Sequence, residues 1–219
     1  MSTTPPRTHA VVWDMGGTLL DTYPEVDRAL CAAVHDGRVG ADDLREVSVL
    51  THRSIESAIR ELASRHGLDR GILDDAYAGV RDRWKTRPAP LIDGVPDVVD
   101  AVRRAGGLNL VVTHRDRDGA LALLAGHRLR VDDVICPGDG YPRKPDPSMI
   151  LAVLARNGVA PGDAVAVGDR PIDVQAAWAA GVRPFFLVTP GLPAPTETGE
   201  DPSTAIPSVR GLLATVADW

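Results

Sequence analysis

The chain is poor in cysteine and in long apolar runs, and each shortage excludes a class of protein. Its 219 residues include only two cysteines, Cys31 and Cys136, too far apart in sequence for a zinc knuckle or a redox CxxC pair. We expect both to be buried thiols of a cytoplasmic protein. No apolar stretch approaches the roughly 20 residues of a membrane span, and residues 1–9 lack a signal-peptide pattern.

Positive charge is also scarce. The 24 Lys and Arg against 30 Asp and Glu give a net charge of −6, which argues against binding to nucleic acid or to an anionic membrane. Twenty-two of the basic residues are Arg, so lysine chemistry has only two candidates, Lys85 and Lys144. With 44% apolar and 25% charged residues, the chain has the composition of a globular protein that can bury its own core.

Several motifs of common enzyme classes are absent. The sequence contains no Gly-x-x-x-x-Gly-Lys-Ser/Thr phosphate loop, no His-Glu-x-x-His and no Gly-x-Ser-x-Gly. Its six histidines show no metal-ligand spacing. These absences argue against a P-loop nucleotidase, a zinc peptidase and an α/β serine hydrolase.

Short apolar runs that alternate with helical patterns predict an α/β sandwich with a mostly parallel sheet. The predicted strands are Ala10–Trp13, Leu108–Val112, Asp133–Cys136, Ala164–Val167 and Pro184–Val188. The predicted helices between and after them are Val95–Arg104, Pro147–Asn157, Ile172–Ala180 and a last one from Val209 to Ala217. The stretch Thr189–Pro207, rich in Pro, Gly, Thr and Glu, is predicted to be an irregular connection.

One long stretch after the first strand contains helical patterns only. Apolar residues spaced by three or four predict helices over Glu25–His35, Ile55–His66 and Leu73–Trp84. A segment of this length is too long for a loop. We therefore expect a helical domain at residues 21–91, inserted into an α/β core domain formed by residues 1–20 and 92–219.

Polar residues follow the predicted strands at the points where the strands end. The first strand is followed by Asp14-Met15-Gly16-Gly17-Thr18, the second by Thr113-His114, and the fourth by Gly168-Asp169-Arg170-Pro171-Ile172-Asp173; Lys144 comes between the third strand and its helix. Ligands of open α/β sheets bind at the carboxyl ends of the strands. We expect these side chains to converge on one edge, provided that their strands are neighbours.

The residue types at this edge suit phosphoryl transfer. Asp14 and Asp169 could hold Mg²⁺, which takes one or two carboxylates together with water and phosphate oxygens. A hydroxyl at Thr113 and a positive charge at Lys144 could bind phosphate oxygens. Asp14 could then attack phosphorus and form an aspartyl-phosphate. Gly16 and Gly17 would let backbone amides approach the anion closely.

The order of these motifs resembles the haloacid dehalogenase (HAD) superfamily of hydrolases, in its phosphoglycolate-phosphatase-like subfamily with a helical cap. That family has Asp-x-Asp-Gly-Thr, then a Ser or Thr, a Lys and a late acidic pair, and here these motifs span most of the chain. The resemblance implies a three-layer Rossmann-like sandwich with an inserted cap. It also implies Mg²⁺ as the cofactor and a small phosphorylated metabolite as the substrate.

The resemblance further assigns roles to individual residues. It implies catalytic roles for Asp14, Thr113 and Lys144, with Asp14 as the nucleophile. It implies a metal site formed by Asp14, the backbone carbonyl of Gly16, Asp169 and Asp173. It implies that the substrate is bound by Met15, Gly16, Gly17, Thr113, His114 and Lys144.

The chain departs from the family at one position. Phosphatases of the family carry a second Asp two residues after the nucleophile, which protonates the leaving group and later activates water; here that position is Gly16. Loss of such a group typically costs about 10²–10⁴-fold in rate. The chain could therefore be a slow or selective phosphatase, with His114 as one candidate for a substitute acid. It could also be a degenerate member that binds a phosphorylated metabolite or a partner without turnover.

Two other chemistries of the family also lack this Asp. Its dehalogenases do not use the metal, and the intact acidic positions Asp169 and Asp173 argue against that choice. Its phosphonate hydrolases use a lysine near the start of the cap, whereas Lys85 lies near the cap's end. We therefore predict a Mg²⁺-dependent phosphomonoester hydrolase that acts through Asp14.

Overall fold

The computed structural model describes residues 8–192 and 204–219, which form two compact units. One unit, here called the core unit, contains the described residues up to Leu20 and from Leu91 onward. The other, the helical unit, runs from Asp21 to Pro90. Within the described ranges, no helix is long and apolar enough to cross a membrane.

A parallel sheet of six strands forms the centre of the core unit. The strands are β1 (Ala10–Trp13), β2 (Leu108–Val112), β3 (Asp133–Ile135), β4 (Ala164–Gly168), β5 (Arg183–Leu187) and β6 (Ala205–Ile206). Their order in the sheet is β3-β2-β1-β4-β5-β6, and every neighbouring pair is parallel. The five predicted strands are confirmed to within one residue at each end, and the α/β architecture with them.

The nine α-helices of the described residues are divided between the two units. The helical unit contains α1 (Tyr23–Val34), α2 (Ala41–Arg53), α3 (Ile55–His66) and α4 (Arg70–Trp84). The core unit contains α5 (Val95–Arg104), α6 (Arg117–Gly126), α7 (Ser148–Arg156), α8 (Pro171–Ala179) and α9 (Leu212–Ala217). The predicted last helix is shorter than expected, because Val209–Gly211 forms a 3-10 turn in front of α9.

Helices cover both faces of the sheet, as the apolar strands require. Side chains alternate along a strand, so Leu110 and Asn109 of β2 face opposite sides. Leu110 belongs to a buried cluster with residues of α7 and α8, such as Met149 and Ala176. The amide of Asn109 donates instead to the carbonyl of Val99 in α5, 3.1 Å away. The unit therefore has three layers, with α7 and α8 on one face and α5 on the other.

The segment after β5 was predicted to be an irregular connection over Thr189–Pro207. Residues 193–203 of that segment lie outside the described residues. Ala205 and Ile206, however, form β6, which pairs with Phe186 and Leu187 of β5. A strand of only two residues is too short for an apolar pattern to be recognised in sequence.

The helical unit packs its four helices around a buried polar contact. Both cysteines of the chain are buried free thiols as expected, and Cys31 lies on α1 of this unit. On the same helix the buried carboxylate of Asp27 accepts a hydrogen bond from Thr51 Oγ1 of α2 at 2.6 Å. Burial raises the pKa of Asp27, and the Thr51 hydroxyl partly opposes this rise. Lys85, just after α4, is exposed and forms an ion pair with Asp82 at 2.7 Å.

Candidate active site

The sheet order brings four sequence motifs to one edge. Asp14 directly follows β1, Thr113 follows β2 and Asp169 follows β4, and these three strands are neighbours in the sheet. The backbone continues the sheet for one residue, because Asp14 N donates to Val167 O at 2.9 Å. Lys144 reaches this edge from the connection between β3 and α7, and Asp173 reaches it from the first turn of α8.

Lys144 is the centre of the site. Its Nζ lies 2.5 Å from Asp14 Oδ1, 2.5 Å from Asp173 Oδ1 and 3.1 Å from the carbonyl oxygen of Val112. Nζ donates hydrogen bonds to Asp14 Oδ1 and to the Val112 carbonyl, and its contact with Asp173 is an ion pair. The three side chains are buried, which makes the charge pairing strong and fixes the position of each group.

Three carboxylates converge on the same point. One oxygen each from Asp14, Asp169 and Asp173 lie within 4.8 Å of one another. Lys144 places one positive charge against these three carboxyl groups. A divalent cation would stabilise the ionised form of such a buried cluster, and carboxylate oxygens are the ligands that Mg²⁺ prefers.

Asp169 provides a direct test of whether a cation fits this cluster. Its Oδ1 accepts a hydrogen bond from Thr18 Oγ1 at 2.8 Å, whereas its Oδ2 is buried without a hydrogen-bond partner in the described residues. Burial raises the pKa of Asp169 to about 8, and the charges of Asp14 and Asp173 add to the rise. A cation in the cluster would satisfy Oδ2 and stabilise the ionised form, so the residues present fit a metal ion.

The other ionisable groups of the cluster respond to burial and to Lys144. Burial raises the pKa of the Asp14 carboxyl, and Lys144 opposes that rise. Burial also acts on Asp173, but Lys144 and Arg170 outweigh it and lower its pKa. For Lys144 itself, burial acts to lower the pKa, while the carboxylates of Asp14 and Asp173 prevail and raise it. The lysine is therefore held in its charged form.

The loop after β1 supplies backbone groups rather than side chains. The Met15 side chain is fully buried, so only its main chain can serve the substrate-binding role expected of it. Gly17 has φ +86°, a conformation that favours glycine, and its N–H donates to Leu20 O at 2.7 Å. Gly16 is the one residue of the stretch 10–20 that is partly exposed.

The hydroxyl of Thr113 is oriented for donation. Its oxygen accepts the N–H of Arg115 at 3.1 Å, which leaves the hydroxyl proton for another acceptor. Thr113 is buried, and its own N–H donates to Ile135 O at 3.1 Å in continuation of the sheet. A phosphate oxygen at the strand end could take the free proton.

Comparisons with known proteins agree with this geometry. Residues 8–181 match the family model described as haloacid dehalogenase-like hydrolase. The chain belongs to this family. It is 35% identical over 185 residues to a phosphoglycolate phosphatase of Xylella fastidiosa, covering 81% of this chain and 78% of that one. It is 29% identical over 185 residues to an N-acetylmuramic acid 6-phosphate phosphatase of Pseudomonas aeruginosa, covering 81% and 80%.

A solved structure supports the fold of this HAD-like hydrolase. A HAD family hydrolase of Deinococcus radiodurans superposes with a TM-score of 0.78 at 20% identity, covering 96% of both chains. The hydrolase family is enzymatic, and the resemblance that the motifs carry is therefore confirmed at the level of the family.

Two contacts of this HAD-like hydrolase were not assigned from its sequence. Thr18 belongs to the first motif, but its hydrogen bond to Asp169 joins residues 151 positions apart and depends on the pairing of β1 with β4. Gly168 ends β4, and a Cβ there would overlap the side chain of Asp173. The partner of Thr18 follows only from the sheet order, whereas Gly168 and Asp173 are brought together by the turn between β4 and α8.

The His114 side chain of this HAD-like hydrolase is half-buried, and its Nε2 has no hydrogen-bond partner in the described residues. Burial lowers its pKa from 6.5 to about 4, and the positive charges of Lys144 and Arg170 act in the same direction. The imidazole is therefore neutral at pH 7. A neutral imidazole can bind a polar group, but it is a poor proton donor for a departing alkoxide.

Proposed function

We propose that this chain is a Mg²⁺-dependent phosphatase that transfers the phosphoryl group of a small phosphorylated metabolite to Asp14 and then to water. The observation that carries the proposal is the position of Lys144 Nζ, 2.5 Å from both Asp14 and Asp173. It keeps Asp14 oriented at the carboxyl end of β1 with a fixed positive charge beside it. A binding site for an anion alone would gain nothing from three buried carboxylates that repel it.

The metal is assigned from the donor set. Asp14, Asp169, Asp173 and the carbonyl of Gly16 would hold Mg²⁺, in keeping with its preference for oxygen ligands. When bound, Mg²⁺ supplies positive charge that balances the carboxylates and attracts phosphate oxygens. We expect the open Oδ2 of Asp169 to be one of the ligand atoms.

The chain's own residues perform the remaining tasks. Thr113 Oγ1 donates its proton to a phosphate oxygen, and the main-chain N–H groups around Gly16 and Gly17 bind another. Lys144 stabilises the charge on the phosphoryl oxygens while it holds Asp14 in line with phosphorus. An oxygen of Asp14 bonds to phosphorus as the bond from phosphorus to the metabolite's oxygen breaks, which forms an aspartyl-phosphate and releases the metabolite with that electron pair. Water then bonds to phosphorus, the bond from phosphorus to Asp14 breaks, and phosphate and the free carboxylate of Asp14 are released.

The names of the relatives support a small phosphorylated compound as the substrate. One relative is named for phosphoglycolate and another for N-acetylmuramic acid 6-phosphate, and both of those compounds are phosphate esters of small molecules. The groups that we assign at the strand ends suit the phosphate oxygens that such molecules share, and they do not distinguish the rest of the molecule. We therefore propose a small phosphorylated metabolite as the partner of the site.

Phosphate release from an aryl phosphate, measured with and without Mg²⁺, tests this function. Wild type is compared with Asp14→Asn and with Asp118→Asn, a matched change of an exposed Asp on α6. We expect Asp14→Asn to lose at least about 10³-fold in kcat, because the nucleophile is gone, and Asp118→Asn to behave as wild type.

Two results would contradict the proposed phosphatase. One is metal-independent turnover, and the other is equal turnover by wild type and Asp14→Asn. If a folded wild type binds Mg²⁺ but releases no phosphate above the Asp14→Asn level, the alternative of a binding protein without turnover is favoured.

A further inference from the structure

The absence of an acidic side chain at Gly16 limits which bonds the site can break. When phosphorus is transferred to Asp14, the bond from phosphorus to the leaving oxygen breaks, and the electron pair stays on that oxygen. An aliphatic alkoxide is a strong base, because its conjugate acid is an alcohol about as weakly acidic as water, and it needs a proton as it leaves. A carboxylate, with a conjugate acid near pKa 4, leaves without one.

Lys144 is not suited to protonate the leaving group. Lys144 Nζ donates to Asp14 Oδ1 and to the Val112 carbonyl, and it forms a buried ion pair with Asp173. Transfer of a proton would leave both carboxylates without their partner in a buried place, which is costly. Lys144 therefore provides charge but not acid catalysis.

The remaining groups at the strand ends are no better donors. Thr113 is an aliphatic hydroxyl, as weak an acid as the alcohol that would need the proton. His114 is half-buried beside the positive charges of Lys144 and Arg170, which disfavour its protonated form. Asp14, Asp169 and Asp173 are the carboxylates assigned above to Mg²⁺, and a carboxylate that holds the cation carries no proton to donate.

Resting on the phosphatase function proposed above, we propose that this site is selective for phosphoryl compounds with a weakly basic leaving group, and that acyl phosphates are its substrate class. In the first step an Asp14 oxygen bonds to phosphorus, and the bond from phosphorus to the acyl oxygen breaks. The electron pair departs with that oxygen as a carboxylate, so no proton is required. Aliphatic phosphate esters fit the same phosphate pocket but react slowly.

The second step is consistent with the same limitation. Water bonds to phosphorus, the bond from phosphorus to Asp14 breaks, and its electron pair returns to the Asp14 carboxylate. The proton that water loses passes to the departing phosphate or to solvent. Because the leaving group is again a carboxylate, this step also needs no acid, although it lacks the base that would activate the water.

The test compares leaving groups through kcat/KM, which reports substrate binding and the first transfer but not the hydrolysis of the aspartyl-phosphate. Acetyl phosphate, phenyl phosphate and glycerol 3-phosphate present a carboxylate, a phenolate and an alkoxide, and rates are corrected with Asp14→Asn. In wild type we expect kcat/KM to fall by at least about 10²-fold from the acyl to the aliphatic compound, as an absent general acid implies. A difference below about tenfold would overturn the proposal.

Two variants at position 16 test whether the absent proton donor is the cause of this selectivity. Gly16→Asp introduces an acid and Gly16→Asn an isosteric amide that is not one. Position 16 admits both, because it is partly exposed and, unlike Gly17, does not have a positive φ. We expect the ratio of kcat/KM for the aliphatic over the acyl compound to rise by about 10²–10⁴-fold in Gly16→Asp but not in Gly16→Asn.

The outcomes separate this inference from the function on which it rests. Asp14-dependent release of phosphate at similar kcat/KM from all three compounds would leave the phosphatase standing and overturn the selectivity. Release of phosphate from none of the three compounds would overturn both the phosphatase function and the selectivity. If Gly16→Asp does not fold, as judged by its thermal unfolding, the wild-type series alone decides.

Discussion

Thr18 shows how one buried hydroxyl can prepare a metal ligand. It lies four residues after Asp14, is fully buried, and donates to Asp169 Oδ1 at 2.8 Å. Because this bond fixes one oxygen of the carboxylate, the other oxygen is fixed as well, and Asp169 Oδ2 is left open within the acidic cluster. A hydrogen bond to a charged group contributes about 1.5–3 kcal/mol.

We therefore predict that Thr18→Val, which removes the hydroxyl and keeps the shape, weakens Mg²⁺ binding by at least about tenfold, equivalent to about 1.4 kcal/mol. The freed Asp169 carboxylate would have to be ordered when the ion binds. Isothermal titration of the metal-free protein with Mg²⁺ measures this without reference to activity.

Thr18→Ser is the matched control, since it keeps the hydroxyl, and it should retain most of the affinity. Equal Mg²⁺ affinities for wild type and Thr18→Val would show that this hydroxyl does not position the ligand.

At the scale of elements, the strands were easier to predict than the helices. A buried parallel strand is a short apolar run, and Leu108–Val112 stands out between Gly107 and Thr113. Two helices were not predicted: α2 and α6. Helix α6 begins at Arg117 with polar residues and contains Gly119, a residue of low helix propensity. Its helical spacing of apolar residues is therefore weak in the sequence. Helix α2 begins with an acidic turn, so its helical spacing of apolar residues is short and hard to recognise. Val47 and Leu50 form the buried side of this helix.

A buried polar network joins β1 to β2 and could not be predicted from local patterns. Trp13 Nε1 donates to Asn109 Oδ1 at 3.0 Å, and Asn109 Nδ2 donates to Val99 O of α5 at 3.1 Å. Trp13 and Asn109 are fully buried, and they share a face of the sheet because Val11 is the register partner of Asn109. An Asn within a predicted buried strand signalled such a contact, but its partner depends on strand register.

The two side chains should stabilise the fold together. Trp13→Phe leaves Asn109 Oδ1 without its donor, and Asn109→Leu leaves the indole N–H without its acceptor and removes a side-chain donor from the Val99 carbonyl. We predict that each change lowers the free energy of unfolding by about 1–3 kcal/mol, the cost of an unsatisfied buried polar group. Urea unfolding monitored by circular dichroism measures both.

The double variant supplies the control. The double variant should lose less free energy of unfolding than the two single variants together, by about 0.5–3 kcal/mol, because each single change breaks the same hydrogen bond. Strict additivity would mean that the bond between Trp13 and Asn109 contributes nothing.

For the whole molecule, the position of the site could be predicted better than its internal contacts. The convergence of Asp14, Thr113 and Asp169 follows from a general property of parallel sheets, once their strands are neighbours. The three contacts of Lys144 Nζ, by contrast, require distances that no sequence pattern contains. The role of the helical unit as a cap over the substrate stays a prediction.

The division into two compact units makes a prediction about where metal binding acts. The acidic cluster belongs entirely to the core unit. A ligand that binds only the folded state stabilises it by RT ln(1 + [L]/Kd), about 2.7 kcal/mol at 100 times Kd. Domains that have their own cores can unfold separately. The added stability should therefore be confined to the unit that holds the ion.

We therefore predict that Mg²⁺ at about 100 times its Kd slows amide hydrogen exchange in β1, β2 and β4 but not in α1–α4. Hydrogen exchange with mass spectrometry, in EDTA and in Mg²⁺, measures both units in one sample. Asp169→Asn is the control, because it removes a carboxylate of the cluster and should abolish the slowing at equal Mg²⁺. Equal slowing in α1–α4 would show that the helical unit unfolds only together with the core. Slowing that persists in Asp169→Asn would place the ion away from the cluster.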